Sequence, residues 1–301
     1  MLRHHPLAPF VAIFMAIALF SMMDVLMKGL SLTIGAYNAT LWRNIGGAML
    51  TGTVWAATHG RWPGAAVLRI HALRSLVVTF MALSFFWALA HLPLAEAIAL
   101  SFIAPVIALY LAGWLLGEEI RPSAKLASLL GLAGTAVILS GRLSGGYDAK
   151  ALLGAAAVLF SACLYAWNLV LARQQAQLSQ PLEITFFQCL FVSLFLLPAA
   201  PWLADVPTTH YWLPIAGTTL LALTSLLLVS WAYARAEAQA LIPVEYTAFL
   251  WAMLFGWLFF AEPVSLTVLA GAVLIAAGSL IAARMQAEGR EPVDHVETTA
   301  L

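Results

Sequence analysis

Residues 95–119, AEAIALSFIAPVIALYLAGWLLGEE, and residues 236–262, AEAQALIPVEYTAFLWAMLFGWLFFAE, are two versions of one pattern. Each opens on Ala-Glu-Ala, passes a proline, reaches Gly-Trp-Leu and closes on a glutamate. Ala95 thus answers Ala236 and Glu119 answers Glu262, an offset of 141 to 143 residues. Between their charged ends both are predominantly apolar for about 20 positions, enough to cross a hydrocarbon core of roughly 30 Å as a helix. Two such segments half a chain apart imply an internal repeat.

The rest of the chain has the same character. Of its 301 residues, 63% are hydrophobic and 9% charged, against about 25% charged in a soluble domain, and the mean hydropathy is +0.93. Lipid is the solvent that suits such a chain. The apolar runs lack the period-two alternation of barrel strands, so each must satisfy its backbone internally as a helix. Spans are expected near residues 9–30, 36–57, 70–90, 94–116, 122–140, 150–172, 182–203, 213–235, 238–260 and 264–284. The expected fold is all-α, with ten transmembrane helices. The tail from Met285 to Leu301 is polar and expected to be solvated and disordered. The Arg3-led first run continues past its Ala16-Ile17-Ala18 stretch and reads as an uncleaved span rather than a signal peptide.

Lysine and arginine bias sets orientation. With the N-terminus inside, Arg3, Arg61, Arg69, Arg74, Arg121, Lys125, Arg173, Arg235, Arg284 and Arg290 fall on the inner side, and Arg142 and Lys150 on the outer. Both termini are therefore expected in the cytoplasm of an inner-membrane protein. Phe20-Ser21 matches Phe160-Ser161 as well, so the halves correspond end to end, as residues 1–143 and 144–284. Five spans per half is an odd number, which inverts the second half relative to the first, the plan of secondary transporters.

Ser21-Met22-Met23-Asp24-Val25-Leu26-Met27-Lys28 in the first span, Arg43 in the second, and the fourth from Leu94 through Pro105 to Glu119 resemble, in that order, the EamA-type drug/metabolite transporter superfamily. The resemblance covers the chain to about residue 284. It implies a ten-helix carrier of small metabolites such as amino acids and their derivatives, S-adenosylmethionine or riboflavin. The expected activity is transport by alternating access, with export of amino acids or amino-acid-derived compounds as the leading reading and uptake of S-adenosylmethionine or riboflavin as the alternative.

Ionisable groups within a bilayer usually face a cavity or a partner. Asp24 and Lys28, four apart on one helical face, can pair. With Arg43 and Glu96 they form a candidate binding or gating cluster near the outer mouth. The inverted repeat maps Lys28 near Asn168, Arg43 near Gln188 and Glu96 near Glu237, so a second, mostly neutral cluster is expected at the inner mouth. The alternative is that Lys28 and Arg43 snorkel to the interface. Glu245, after Pro243 and far from any basic residue in sequence, is the candidate for coupling to protons; a hydrogen bond to Tyr246 or Tyr165 is the alternative. Tyr165, Tyr246, Trp231 and Trp251 are deep aromatics that could cover a planar or cationic substrate. Pro105 and Pro243 interrupt corresponding spans and free backbone carbonyls there. Trp42, Trp62, Trp202 and Trp212 read as interface anchors. Gly113 with Gly117, and glycines near Gly131 and Gly278, suggest close helix packing between repeats or in a dimer.

Enzyme classes find no support. The seven histidines are scattered, and neither HExxH nor GxSxG occurs. Cys163 and Cys189 lack the spacing of a metal or disulfide site. A net charge of zero without a basic aromatic stretch excludes nucleic acid as a partner. No cofactor is expected. The partners are a small-molecule substrate and the lipid bilayer, with a proton as coupling ion and a monomer or homodimer left open.

Overall fold

The computed structural model describes residues 7–58, 62–104, 106–108, 110–111, 122–144, 149–176, 178–233, 235, 244 and 247–288. Within them lie ten helices longer than one turn: α1 (Ala8–Thr33), α2 (Gly35–Thr58), α3 (Ala65–Leu89), α4 (Leu94–Ser101), α5 (Pro122–Ser144), α6 (Ala149–Ala176), α7 (Pro181–Leu196), α8 (Trp212–Tyr233), α9 (Thr247–Phe260) and α10 (Leu266–Glu288). No strand occurs among the described residues. Five helical stretches are long and apolar enough to cross a membrane: Ala8–Thr33, Ala65–Leu89, Ala149–Ala172, Pro181–Leu203 and Thr209–Val229. Large side chains cover the outside, with Leu213 81% and Leu266 83% exposed. Such a surface is stable only against lipid tails.

Hydroxyls in these helices fold back onto the preceding turn. Thr51, Thr79, Thr135 and Ser225 each donate to the carbonyl four residues earlier, which keeps a polar atom satisfied where no water reaches. Gly35, at φ +83°, turns α1 into α2 in a single residue, because only glycine takes that conformation without a steric cost. The fourth span departs from one continuous helix. After Ser101 the chain tightens into three-residue hydrogen bonds at Phe102 and Ile103, and the four-residue pattern returns with the Ile107 N–H on the Ile103 carbonyl. A proline at 105 has no N–H to give to Ser101, which accounts for the break; Pro105 itself lies outside the described residues. At the other end of the chain α10 runs to Glu288, so the helix extends into the tail expected to be disordered from Met285. The segment Ala-Arg-Met-Gln-Ala-Glu consists of good helix formers, which propagate the preceding helix.

The helix pairings reflect the repeat. Among the main contacts are α5 with α10, α1 with α8, α3 with α6, α2 with α7 and α4 with α9. Exchanging α1–α5 with α6–α10 turns every one of these pairs into itself or into another of them. The two halves therefore interlock rather than sit side by side. The core is continuous across them: Met27 and Leu30 of α1, Leu94 and Ala97 of α4, Val158 of α6, Phe255 of α9 and Ile275 of α10 belong to one cluster.

The α5–α10 crossing depends on glycine. A β-carbon at Gly134 would stand 2.6 Å from the Gly271 carbonyl oxygen, and one at Gly271 would stand 2.6 Å from the Gly134 carbonyl oxygen. Backbone cannot yield as a flexible side chain does. Gly134→Ala or Gly271→Ala should therefore cost about 1–3 kcal/mol, seen as a lower unfolding temperature of the purified protein. Gly131→Ala, whose β-carbon would meet only Val106 and Ile103 at 3.7 and 3.8 Å, should leave that temperature unchanged. The glycine contact lies between the two halves of one chain, at Gly134 and Gly271, on the same helices as Gly131 and Gly278.

Candidate functional site

Two polar networks lie at opposite ends of the bundle, and a pair of opposite charges lies between them. The first network is centred on Lys28, one and a half turns from the α1–α2 turn and 3% exposed. Its ammonium does not pair with Asp24. It is ion-paired with Glu262, donates to the Leu92 carbonyl at 2.6 Å and lies 5.1 Å from the centre of the Phe260 ring. The other Glu262 oxygen accepts the Leu94 N–H at 2.7 Å. That donor is one of the unpaired N–H groups at the start of α4, where the helix dipole favours a carboxylate. Glu262 is thus clamped between a cation and a helix terminus. Glu96, buried in the first turn of α4, adds a second negative charge acting on Lys28.

Glu262 reaches this position through a strained turn. Ala261 has φ +52°, the left-handed region that glycine normally fills at a helix end. The Ala261 N–H returns to the Trp257 carbonyl at 3.0 Å and the Glu262 N–H to the Gly256 carbonyl at 3.1 Å. A β-carbon on Gly256 would meet the Glu262 carboxylate at 3.0 Å, so the Gly-Trp-Leu motif keeps that space open. Ala261→Gly should relieve the strain and raise stability by about 1 kcal/mol, read as a small rise in unfolding temperature.

The second network joins α3, α6 and α7. Arg74 donates from Nε to the Asn168 side-chain carbonyl at 2.8 Å and from a terminal nitrogen to that of Gln175. With the Gln175 oxygen occupied, its NH2 group faces Nδ1 of His71. Nδ1 must then accept, which leaves Nε2–H to donate toward Glu183 at 3.3 Å. Ser179 also donates to Glu183, at 2.6 Å. The His71 ring is fully buried and stacks on Phe187. A cation and an anion are thereby linked through two neutral side chains. Arg74 is half-buried within this network, and His71 lies in the second turn of α3.

Asp24 and Arg43 lie deeper. At 1.5 Å per residue they sit about 12–14 Å from the α1–α2 turn, close to half the thickness of a hydrocarbon core. Their charges act on one another, but the ion pair among the described residues is Lys28–Glu262; the His71–Glu183 contact is one only when the imidazole is protonated. Arg43 touches the Met23 sulfur at 3.1 Å and lies 5.2 Å from the centre of the Phe86 ring. Its backbone carbonyl accepts Thr219 of α8 at 3.3 Å.

The remaining sequence candidates divide. Gln188 is half-buried on α7, beside Cys189. Tyr165 is 42% exposed, one turn before Asn168, and its phenol interacts with the charge of Arg74. Trp231 is covered by the Arg235 guanidinium, 4.3 Å from its ring centre, and packs beside Ile13. Trp251 packs between Phe14 and Phe255 with its indole N–H buried and unpartnered. Pro105, Glu237, Pro243, Glu245 and Tyr246 lie outside the described residues. Trp62 and Trp202 are exposed, while Trp42 donates to the Asp205 carbonyl at 2.9 Å and meets Trp212 edge-on.

Glu262, Arg74, His71, Gln175 and Glu183 escaped the sequence reading as site residues. Two signals were available: Glu262 is the repeat partner of Glu119, and His71 and Arg74 share a helical face within an apolar run. Among the described residues no cluster of histidine, cysteine or acidic groups could hold a metal ion.

Known proteins share this arrangement of sequence and fold. The chain is 25% identical to the pseudopaline exporter CntI of Pseudomonas aeruginosa, over 88% of this chain and 92% of that one. It is 25% identical to a riboflavin transporter of Brucella anthropi, over 70% of this chain and 75% of that one. A crystal structure 20% identical in sequence superposes with a TM-score of 0.62, over 93% of this chain and 99% of its own, which shows a shared fold. The family model for EamA-like transporters matches twice, at residues 8–140 and 152–284. The chain is a multi-pass membrane protein and belongs to the EamA-like transporter family.

Proposed function

We propose that this protein is a secondary carrier that moves a small organic metabolite across the inner membrane by alternating access. In this reading it has ten spans arranged as two inverted five-helix repeats, residues 1–143 and 144–284, with both termini in the cytoplasm. The observation that carries it is the pair of networks at opposite ends, each joining the two halves of the chain. Lys28 of the first half holds Glu262 of the second, and Arg74 of the first half holds Asn168 and Gln175 of the second. A carrier needs two seals that open in turn, and each network is a seal that must break for the halves to separate. The outer seal contains a direct ion pair, whereas Arg74 in the inner one meets neutral amides. Charged partners hold more strongly, so the inner seal opens more readily.

The substrate reading is an amino acid or amino-acid-derived compound, moved outward. The likeness to the pseudopaline exporter over nearly the whole of both chains supports the outward direction. Uptake of riboflavin or S-adenosylmethionine is the second reading, favoured by the likeness to the riboflavin transporter. Catalysis has no place in this proposal. Counterflow in liposomes of labelled amino acids, S-adenosylmethionine and riboflavin, with and without a pH gradient, tests all of these. Saturable exchange of one compound is expected. Flux that is linear in concentration and without exchange would sink the carrier reading in favour of a channel.

A further inference from the structure

We infer that Arg43 and Asp24 form the recognition site for the α-amino-carboxylate end of the transported compound, Arg43 taking the carboxylate and Asp24 the ammonium. The inference rests on the carrier reading above.

Arg43 has five N–H donors, and a buried guanidinium ordinarily spends them on carboxylates or carbonyls. Here its side chain meets a thioether and an aromatic face. Both are weak partners for a cation within a bilayer. The nearby carboxylate that acts on it, Asp24, stays out of ion-pair range and has no hydrogen-bond donor among the described residues. The other ionised groups of this interior contrast with this pair. Lys28, Glu262, Arg74 and Glu183 are all held by strong hydrogen bonds or ion pairs. Two opposite charges have been kept apart at mid-depth while Lys28, Glu262, Arg74 and Glu183 are each held by direct contacts.

A zwitterionic head has the two charges that this pair could bind. Its carboxylate can take two parallel bonds from the guanidinium, and its ammonium can meet Asp24. The loaded site then holds two positive and two negative charges, the same zero net charge as the empty one. Crossing the membrane in that state avoids moving an unpaired charge through hydrocarbon. The site lies between the two seals, on helices that both halves contact: α1 packs on α8, and α2 on α7. Amino acids and S-adenosylmethionine carry this head group, whereas riboflavin has neither a carboxylate nor an ammonium. The inference therefore selects between the substrates considered above.

The test uses the full-length chain in lipid nanodiscs, with unfolding temperature as the binding readout. The probes are the twenty amino acids, S-adenosylmethionine, riboflavin and the carboxamide of each acid. In the wild type, at least one acid should stabilise the protein and its carboxamide should bind about 100-fold more weakly. Arg43→Gln should abolish that preference, so that acid and carboxamide bind equally weakly. Asp24→Asn should instead remove the preference for the amine over its deaminated analogue. If Arg43→Gln does not fold, Arg43→Lys serves. It keeps the cation but not the bidentate fork and should retain only a small part of the preference.

Stabilisation by riboflavin alone, or by none of the acids, would overturn the inference, as would an unchanged acid preference in Arg43→Gln. Counterflow on the same preparations separates the two readings. Exchange of riboflavin with no acid effect leaves the carrier standing and removes the site; Arg43-dependent binding of an acid without exchange keeps the site and removes the carrier.

Discussion

Lys28→Met will cost the folded protein about 3 kcal/mol and stop exchange. The loss follows from what remains behind. Glu262 keeps its contact with the Leu94 N–H but loses the ammonium, and the Leu92 carbonyl loses its donor. A carboxylate stranded in this way costs several kcal/mol when fully buried, and the partial exposure of Glu262 puts the value at the lower end of that range. The double variant Lys28→Met/Glu262→Gln should recover most of the stability, because no charge is left unpaired. It should not recover transport if the ion pair is a seal that must break and re-form. Unfolding temperatures and liposome counterflow on the three proteins check this. Wild-type exchange in the double variant would reduce Lys28–Glu262 to a structural pair, and equal stability of Lys28→Met and wild type would mean that Lys28 merely reaches the interface.

The second large effect is expected at the opposite end. Arg74→Ala removes both donors that hold Asn168 and Gln175 and unpins Gln175 from His71. Charge-assisted bonds of this kind contribute about 1.5–3 kcal/mol each. Part of that is recovered because the amides left behind are neutral and easier to hydrate, so a net loss of about 2 kcal/mol is expected. The more telling change is conformational. Weakening one seal shifts the population toward the form open on that side by the free energy removed, and 1.4 kcal/mol is a factor of ten. In a chain whose Cys163 and Cys189 are replaced by serine, a cysteine at Ser179 should react with a membrane-impermeant maleimide at least tenfold faster once Arg74 is alanine. An unchanged rate would mean that the network does not gate access at this end.

Much of the fold could be read from residue order because lipid imposes a simple rule. A chain that is 63% hydrophobic must bury its backbone polarity in helices. The ten helices begin and end within a few residues of the expected spans wherever the chain between them carries polar or turn-forming residues. The fourth span follows the rule less closely, because the helix is interrupted after Ser101 although the apolar composition continues unchanged. The Ala-Glu-Ala and Gly-Trp-Leu repeats implied two corresponding halves, and the mirrored helix pairs show how those halves pack.

The site was only half legible. Lys28, Arg43, Glu96 and Asn168 stand out in sequence because a charged or amide side chain in an apolar run is rare and costly. Their partners do not follow from spacing. Asp24 is one turn from Lys28 and looked like its counter-ion, yet Lys28 is paired with Glu262, 234 positions away. Helix geometry brings residues four apart onto one face, but the side chain turns to whichever acceptor is better held. Here that is a carboxylate fixed by the N-terminus of α4 and by a left-handed alanine. The same holds for Arg74, which the charge bias put on the inner side, and for His71: packing of α3 against α6 and α7 buries the imidazole and half-buries the guanidinium. Amino-acid type therefore sufficed to mark which residues must find partners. Which partners they find, and which two charges are left apart, depended on how the two halves of the chain interlock.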